Sequence, residues 1–195
     1  MTPPTPSGRH GVPGLLPTLP PTLPLPVFDT NGMLESGSLS RPGVFLRPGD
    51  WFFGRGEHGV TTVLGSCVSV VMWSPRLKLG AMSHCLLPTR PDHPGAPPHG
   101  AGHYLDEALE WMTQRLLQQG CRLMEVDVTV AGGATAHDVA IGGANVAQAL
   151  RLIAPTGMRL IQQDTGGRVV RRLTFNLSDG CLTISHGGRL GPNEV

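Results

Sequence analysis

The distribution of proline confines any packed fold in this 195-residue chain to the residues after about position 41. Eleven of the nineteen prolines lie within the first 50 residues, among Thr-Leu-Pro and Pro-Leu-Pro repeats that have neither a helical nor a strand period. Such a segment cannot bury enough apolar surface to offset its chain entropy, so residues 1–41 are predicted to form a disordered or polyproline-like tail. Residues 42–190 are long enough for one domain, and residues 191–195 are predicted to form a short C-terminal tail.

Charge and hydropathy exclude two classes of partner. Prolines interrupt every apolar stretch of the N-terminal segment before it reaches the length of a signal-peptide core, and no later stretch is long enough to span a bilayer. The formal net charge of +1 argues against nucleic acid as a main partner. One short basic cluster, formed by Arg168, Arg171 and Arg172, is predicted to be a solvated strand edge. We therefore expect a cytoplasmic protein with no membrane insertion.

Hydrophobic periodicity predicts a single α/β domain with mixed, largely antiparallel β-sheet layers and two main helices. Short runs rich in β-branched residues indicate strands, and apolar residues at three- and four-residue spacing indicate helices. Strands are predicted over residues 60–64, 67–73, 79–87, 125–131, 159–163, 172–177 and 181–186, and helices over residues 104–119 and 145–154. The second and third strands, and the last two, are predicted to pair as hairpins across short turns.

The four cysteines are widely spaced and form no Cys-x-x-Cys pair. In a cytosolic chain of this size, that pattern predicts reduced thiols rather than a disulfide framework. Cys85, Cys121 and Cys181 are predicted to be small core residues. Cys67 has two interpretations, because it follows Gly65-Ser66, a pair that interrupts a strand.

A thiol at such an interruption stands beside free backbone N–H groups, which are the donors that an oxyanion intermediate needs. The alternative is that Cys67 opens a buried strand as a small hydrophobic residue, the usual role of a free cysteine. Spacing alone favours the alternative. His84 in the next strand changes the balance, because residues on neighbouring strands lie within side-chain reach.

A histidine beside a cysteine can take the thiol proton and later deliver it to a departing amine. His84 can therefore be a base for Cys67, or simply a hydrogen-bonded core histidine. A base needs orientation, and Thr61 on the preceding strand can accept a hydrogen bond from the other imidazole nitrogen. Thr62 points to the opposite face and competes with Thr61 for that role.

Six motifs occur in order along the predicted domain. They are TTVLGSCVSVV at residues 61–71, LGAMSHCLLP at 79–88, YLDEA at 104–108, AGGA at 131–134, IGGANV at 141–146 and DTGG at 164–167. Together they resemble the motifs of CheD, the chemoreceptor glutamine deamidase family, over roughly residues 44–186. Two positions depart from the family pattern: Ala144 stands where arginine is usual, and Ala136 where methionine is frequent.

The resemblance implies a cysteine amidohydrolase with Cys67 as nucleophile, His84 as base and Thr61 as the residue that orients the base. Gly65 and Ser66 are implied to support the oxyanion. The thiolate attacks a glutamine carboxamide, ammonia leaves, and water activated by His84 cleaves the thioester to give glutamate. No metal or other cofactor is required. The implied substrate is the helical cytoplasmic region of methyl-accepting chemotaxis receptors, and some family members also bind a CheC-type phosphatase.

Two other functions are compatible with the sequence. The first is a binding module that docks on receptors or on a phosphatase without turnover, for which the departures at Ala144 and Ala136 leave room. The second is a metal-dependent enzyme, because imidazole and thiolate ligands suit zinc or copper. Its candidate ligands, which lack a tight zinc-type spacing, are His84, Cys85, His93, His99 and His103.

Overall fold

The computed structural model describes residues 43–91, 102–135 and 139–189. These ranges contain nine strands and two α-helices. The strands are β1 (Gly43–Phe45), β2 (Trp51–Gly54), β3 (Gly59–Leu64), β4 (Val68–Ser74), β5 (Leu79–Ser83), β6 (Asp127–Gly132), β7 (Arg159–Thr165), β8 (Val169–Asn176) and β9 (Leu182–Arg189). The α-helices are α1 (Leu105–Gln118) and α2 (Val139–Ile153), and short 3-10 helices span Leu123–Glu125 and Ala154–Thr156. The predicted tails lie outside the described residues, so the domain boundaries stay predictions.

The strands form two sheets, which confirms the predicted mixed, largely antiparallel α/β architecture. The first sheet has the order β1-β3-β8-β9 and the second the order β2-β5-β4-β6-β7. Every neighbouring pair is antiparallel except β1 with β3 and β6 with β7. Both predicted hairpins are present, as β4–β5 and β8–β9.

Two hydrophobic cores lie on either side of the second sheet. One core joins the two sheets, and the other joins the second sheet to both helices. Strand β4 contributes to both cores and all seven of its residues are buried, which explains why its sequence is a continuous apolar run without alternation. Strand β3 alternates between half-buried and buried residues, as expected for a strand with one face in the core.

Helix α2 begins at Val139, well before the predicted start at residue 145. Gly142 and Gly143 weaken the helical signal there, since glycine is a poor helix former. Gly142 is required by packing, because a Cβ at this position would lie 2.7 Å from the carbonyl oxygen of Ala134. Gly143 faces open space, with no atom within 4 Å of a Cβ placed there.

This pair of glycines gives a matched stability test. Gly142→Ala is expected to lower the free energy of unfolding by roughly 1–3 kcal/mol, because the added methyl group overpacks the contact with Ala134. Gly143→Ala, on the same helix, is expected to raise it by about 0.5–1 kcal/mol through the helix propensity of alanine. Urea unfolding followed by circular dichroism measures both. Equal effects of the two substitutions would contradict the close approach of α2 to the loop before it.

Other departures from the predictions arise from tertiary packing. Strands β1 and β2 are too short to be recognised by period, and β5 ends at Ser83 rather than at residue 87. Arg171 is only 3% exposed and pairs with Asp164 at 2.9 Å, so the basic cluster is not wholly a solvated edge. Cys181 is exposed rather than in the core, whereas Cys85 and Cys121 are buried as predicted.

None of the helices in the described ranges has the length and apolarity needed to cross a membrane.

Candidate active site

The pairing of β4 with the chain after β5 places Cys67 and His84 on the same face of the second sheet. Val68 and Cys85 exchange both of their backbone hydrogen bonds, with N–O distances of 3.0 and 2.8 Å. In this register Cys67 falls opposite Leu86, and His84 is its diagonal neighbour. Such neighbours have Cα atoms roughly 7–8 Å apart, which is within the reach of a histidine side chain.

This face of the second sheet points toward the first sheet, where His84 meets Thr62 on β3. His84 Nδ1 lies 2.7 Å from Thr62 Oγ1. Thr62 Oγ1 in turn lies 2.9 Å from the carbonyl oxygen of Leu46, and His84 Nδ1 lies 3.4 Å from the same oxygen. Both His84 and Thr62 are buried.

These contacts determine which nitrogen of His84 carries the proton when the ring is neutral. The carbonyl oxygen of Leu46 can only accept, so the single hydroxyl proton of Thr62 is donated to it. Thr62 Oγ1 must then accept a hydrogen bond from Nδ1–H of His84. This leaves Nε2 unprotonated and able to accept a proton.

In the structure, therefore, His84 forms its hydrogen bond with Thr62, and not with Thr61 as expected. Thr61 lies on the outer face of β3, and its hydroxyl is 3.4 Å from the carbonyl oxygen of Val44. The sequence did contain a signal for this choice. Val60 and Leu64 share the face of Thr62, because side chains two residues apart on a strand point the same way, and both are fully buried.

Burial moves the pKa values of the two candidate catalytic groups in opposite directions. Desolvation raises the pKa of the Cys67 thiol, and the backbone N–H of Cys67 itself partly opposes this shift. Desolvation lowers the pKa of His84, against the opposing effects of the Leu46 carbonyl and the Asp50 carboxylate. At neutral pH Cys67 is therefore a thiol and His84 a neutral imidazole, and such a thiol needs a base before it can act as a nucleophile.

The loop before β4 rests on the Gly-Gly-Ala motif. Ala134 N donates to the carbonyl oxygen of Gly65, and Gly133 N donates to that of Cys67, both at 2.8 Å. Gly132 has a φ of 111°, and a Cβ there would collide with the carbonyl oxygen of Cys67. Glycine is thus needed at this position both for its backbone conformation and for the close approach of the two loops.

The remaining predictions about the site have mixed outcomes. Ala144 is exposed on α2, so its departure from the family pattern leaves the contacts around Cys67 intact, while Ala136 lies outside the described residues. Within the described part of the chain, no three His, Cys, Asp or Glu side chains are grouped so as to hold a metal ion. His93 and His99 lie outside that part.

A partly buried thiol and an imidazole with one nitrogen bound to a hydroxyl thus share one face of the second sheet, and cysteine hydrolases combine these two groups. A family model described as CheD chemotactic sensory transduction matches residues 86–186. This segment contains the Gly-Gly-Ala loop and α2, and it begins two residues after His84.

Curated relatives extend the similarity over most of the domain. The probable chemoreceptor glutamine deamidase CheD 1 of Chromobacterium violaceum is 36% identical over 150 residues, which covers 72% of this chain and 76% of that protein. The probable chemoreceptor glutamine deamidase CheD 3 of Dechloromonas aromatica is 35% identical over 73% of this chain and 86% of its own length. The chemoreceptor glutamine deamidase CheD of Thermotoga maritima is 33% identical over 66% of this chain and 82% of its own. The chain belongs to the CheD family, as its motifs predicted.

Proposed function

We propose that this protein hydrolyses glutamine side chains of chemotaxis receptors to glutamate, with Cys67 as the nucleophile and His84 as its base. Family membership and the names of the relatives support the reaction and the substrate class. The observation that supports the assignment of residues is the Leu46–Thr62–His84 hydrogen-bond chain. It leaves Nε2 of His84 as a proton acceptor on the face of the sheet that carries Cys67.

The proposed reaction has two halves. Nε2 of His84 takes the proton of the Cys67 thiol as the sulfur attacks the carboxamide carbon, which forms the C–S bond and an oxyanion. Collapse of this intermediate breaks the C–N bond, and His84 donates the proton to the departing ammonia. Water then loses a proton to His84 and attacks the thioester, and the thiol of Cys67 is regenerated. The net change converts glutamine and water into glutamate and ammonia.

The backbone N–H of Cys67 is the proposed oxyanion donor, with the Gly65-Ser66 segment as its support. Burial raises the pKa of the Cys67 thiol, and this same N–H partly offsets that rise, so the N–H lies where it can act on charge at the sulfur. The hydrogen bonds that bind the carbonyls of Gly65 and Cys67 restrain the loop before the reaction begins. A donor held in place in advance contributes most to catalysis, because it needs no reorganisation in the transition state.

We also propose Thr62, rather than Thr61, as the residue that orients His84. Thr62→Val keeps the side-chain shape but removes the hydroxyl, so kcat is expected to fall roughly 10- to 100-fold, a part of what general acid–base catalysis contributes. Thr61→Val, the matched control on the outer face of β3, is expected to change kcat by less than about threefold. Steady-state kinetics on a receptor fragment measures both variants. A larger loss for Thr61→Val would restore the expectation from the motif.

The overall proposal is tested by incubating the full chain with the cytoplasmic fragment of a methyl-accepting receptor from the same organism. Peptide mass spectrometry should detect glutamate at specific glutamine positions, with label from heavy-oxygen water in the new carboxylate. An acid-quenched reaction should contain a covalent adduct between Cys67 and the fragment that hydroxylamine releases. A chelator should leave the rate unchanged, which separates this chemistry from a metal-dependent enzyme.

Binding of the fragment without conversion would favour the adaptor function. A CheC-type phosphatase is proposed as a second partner on the family resemblance alone, and a binding titration with the purified phosphatase tests it. We place the reaction in the cytoplasm, because a reducing compartment keeps the Cys67 thiol free for catalysis.

A further inference from the structure

Asn145 on α2 is a fully buried polar residue that contacts the chain on both sides of the candidate site. Its Nδ2 lies 2.9 Å from the carbonyl oxygen of Leu86 and 3.3 Å from that of Ser66. Both neighbours are acceptors, so only the NH₂ end of the amide can face them, and each of its two protons has a partner. Oδ1 of Asn145 is buried and has no hydrogen-bond partner among the described residues.

The bond to Ser66 restrains the peptide unit that ends in the N–H of Cys67. Carbonyl and N–H point in opposite directions across a trans peptide, and the described chain contains no cis peptide. Helix α2 packs on the face of the second sheet opposite to that of Cys67. Holding the Ser66 carbonyl toward α2 therefore turns the N–H of Cys67 away from the helix and toward the thiol.

The second bond links this loop to the strand that carries the base. Leu86 lies two residues after His84 and opposite Cys67 in the register. One amide group thus ties the cysteine loop to the histidine strand. The carbonyls of Gly65 and Cys67 accept hydrogen bonds from backbone N–H groups, whereas the bond to Ser66 comes from a side chain that one substitution can remove.

We propose that Asn145 is a positioning residue for the deamidation reaction, one that fixes the Ser66–Cys67 peptide so that the N–H of Cys67 meets the oxyanion. This inference rests on the proposed function. It assigns Asn145 no contact with the substrate, because the residue acts through the backbone of the loop.

The test compares Asn145→Ala and Asn145→Asp with Gln148→Ala in the full chain. Gln148 supplies a matched buried amide on the same helix, and its side chain bonds to Arg151 at 3.0 Å rather than to the loop. Two rates are measured for each variant: conversion of receptor glutamine, as kcat and KM, and alkylation of Cys67 by iodoacetamide. Alkylation needs the thiolate but no oxyanion donor.

For Asn145→Ala, kcat is expected to fall roughly 100-fold, the lower end of what loss of an oxyanion donor costs, with KM little changed. The kcat of Asn145→Asp is expected to fall as far, although the two side chains have nearly equal volumes. The substitution places an acceptor against two carbonyl oxygens. In Asn145→Ala the alkylation rate of Cys67 should fall far less than kcat, because the N–H of Cys67 only partly offsets the effect of burial on the thiol pKa. Gln148→Ala should retain both rates.

Three results would overturn the role of Asn145. They are full activity in Asn145→Asp, a parallel loss of deamidation and alkylation, and an equal loss in Gln148→Ala. If Asn145→Ala cannot be purified, Asn145→Asp decides between the outcomes. A wild-type protein that converts no glutamine would instead refute the proposed function, so the two failures are distinguishable.

Discussion

Replacing Cys67 with alanine is expected to remove deamidation almost completely, with kcat lowered by roughly 10⁴-fold or more. The loss is large because the thiol forms the bond that the rest of the site serves to promote, and neither His84 nor the loop can replace it. Conversion of receptor glutamine, quantified by peptide mass spectrometry, measures the effect. Cys67→Ala should also form no acid-stable adduct with the fragment.

The control for this experiment is Cys181→Ala, which removes an exposed free thiol far along the chain in sequence. It is expected to retain wild-type kcat and KM. Residual activity of Cys67→Ala near the wild-type level would contradict the nucleophile assignment, and with it the thioester intermediate. The binding of the receptor fragment to Cys67→Ala should survive, because the thiol is a small part of any contact with a helical substrate.

Replacing His84 with glutamine is expected to lower kcat by roughly 10³- to 10⁴-fold, the upper range of general acid–base catalysis. Glutamine can still form a hydrogen bond with Thr62, but its amide cannot take the thiol proton. The raised pKa of Cys67 makes this loss larger, because little thiolate forms at neutral pH without a base. Steady-state kinetics on the receptor fragment measures the loss, and His186→Gln on β9 is the control.

The pH dependence provides a second readout of the same assignment. His84 must be neutral to accept a proton, and its pKa lies below the usual 6.5 because of burial. Activity should therefore stay level as pH falls to about 6.5 and decline only below it, as the imidazole becomes charged. A decline of kcat/KM that begins above this pH in the wild-type protein would contradict a buried neutral base. His84→Gln should lack this acidic decline.

On the proposed mechanism, the neutral states of Cys67 and His84 keep the nucleophile inactive between turnovers. A half-buried thiol with a raised pKa reacts slowly with adventitious electrophiles, since the thiolate is the reactive form. In the proposed mechanism the proton moves to His84 only when a carboxamide accepts the sulfur, so reactivity depends on the presence of substrate. This view predicts slow alkylation of the free enzyme relative to its deamidation rate.

Much of the site could be predicted from local sequence. Local sequence predicts that the hairpin of β4 and β5 has Cys67 and His84 at its open end, next to two antiparallel strands. Period-2 alternation then brings both side chains to one face, which requires no knowledge of the rest of the chain. The motifs predicted the family by their resemblance, and two of their glycines, Gly132 and Gly142, lie at close backbone approaches in the structure.

The other contacts depend on elements far apart in the chain, so only the tertiary structure determined them. Thr62 contacts His84 because the first sheet packs on the second. Side chains alternate between the two faces of β3, so Thr61 lies on the outer face. Asn145 reaches Ser66 because Gly142 lets α2 approach the Gly-Gly-Ala loop. Local sequence determines which residues share a strand face. Packing between the layers determines which other groups hydrogen-bond to those residues, because such contacts form only when distant segments are buried together.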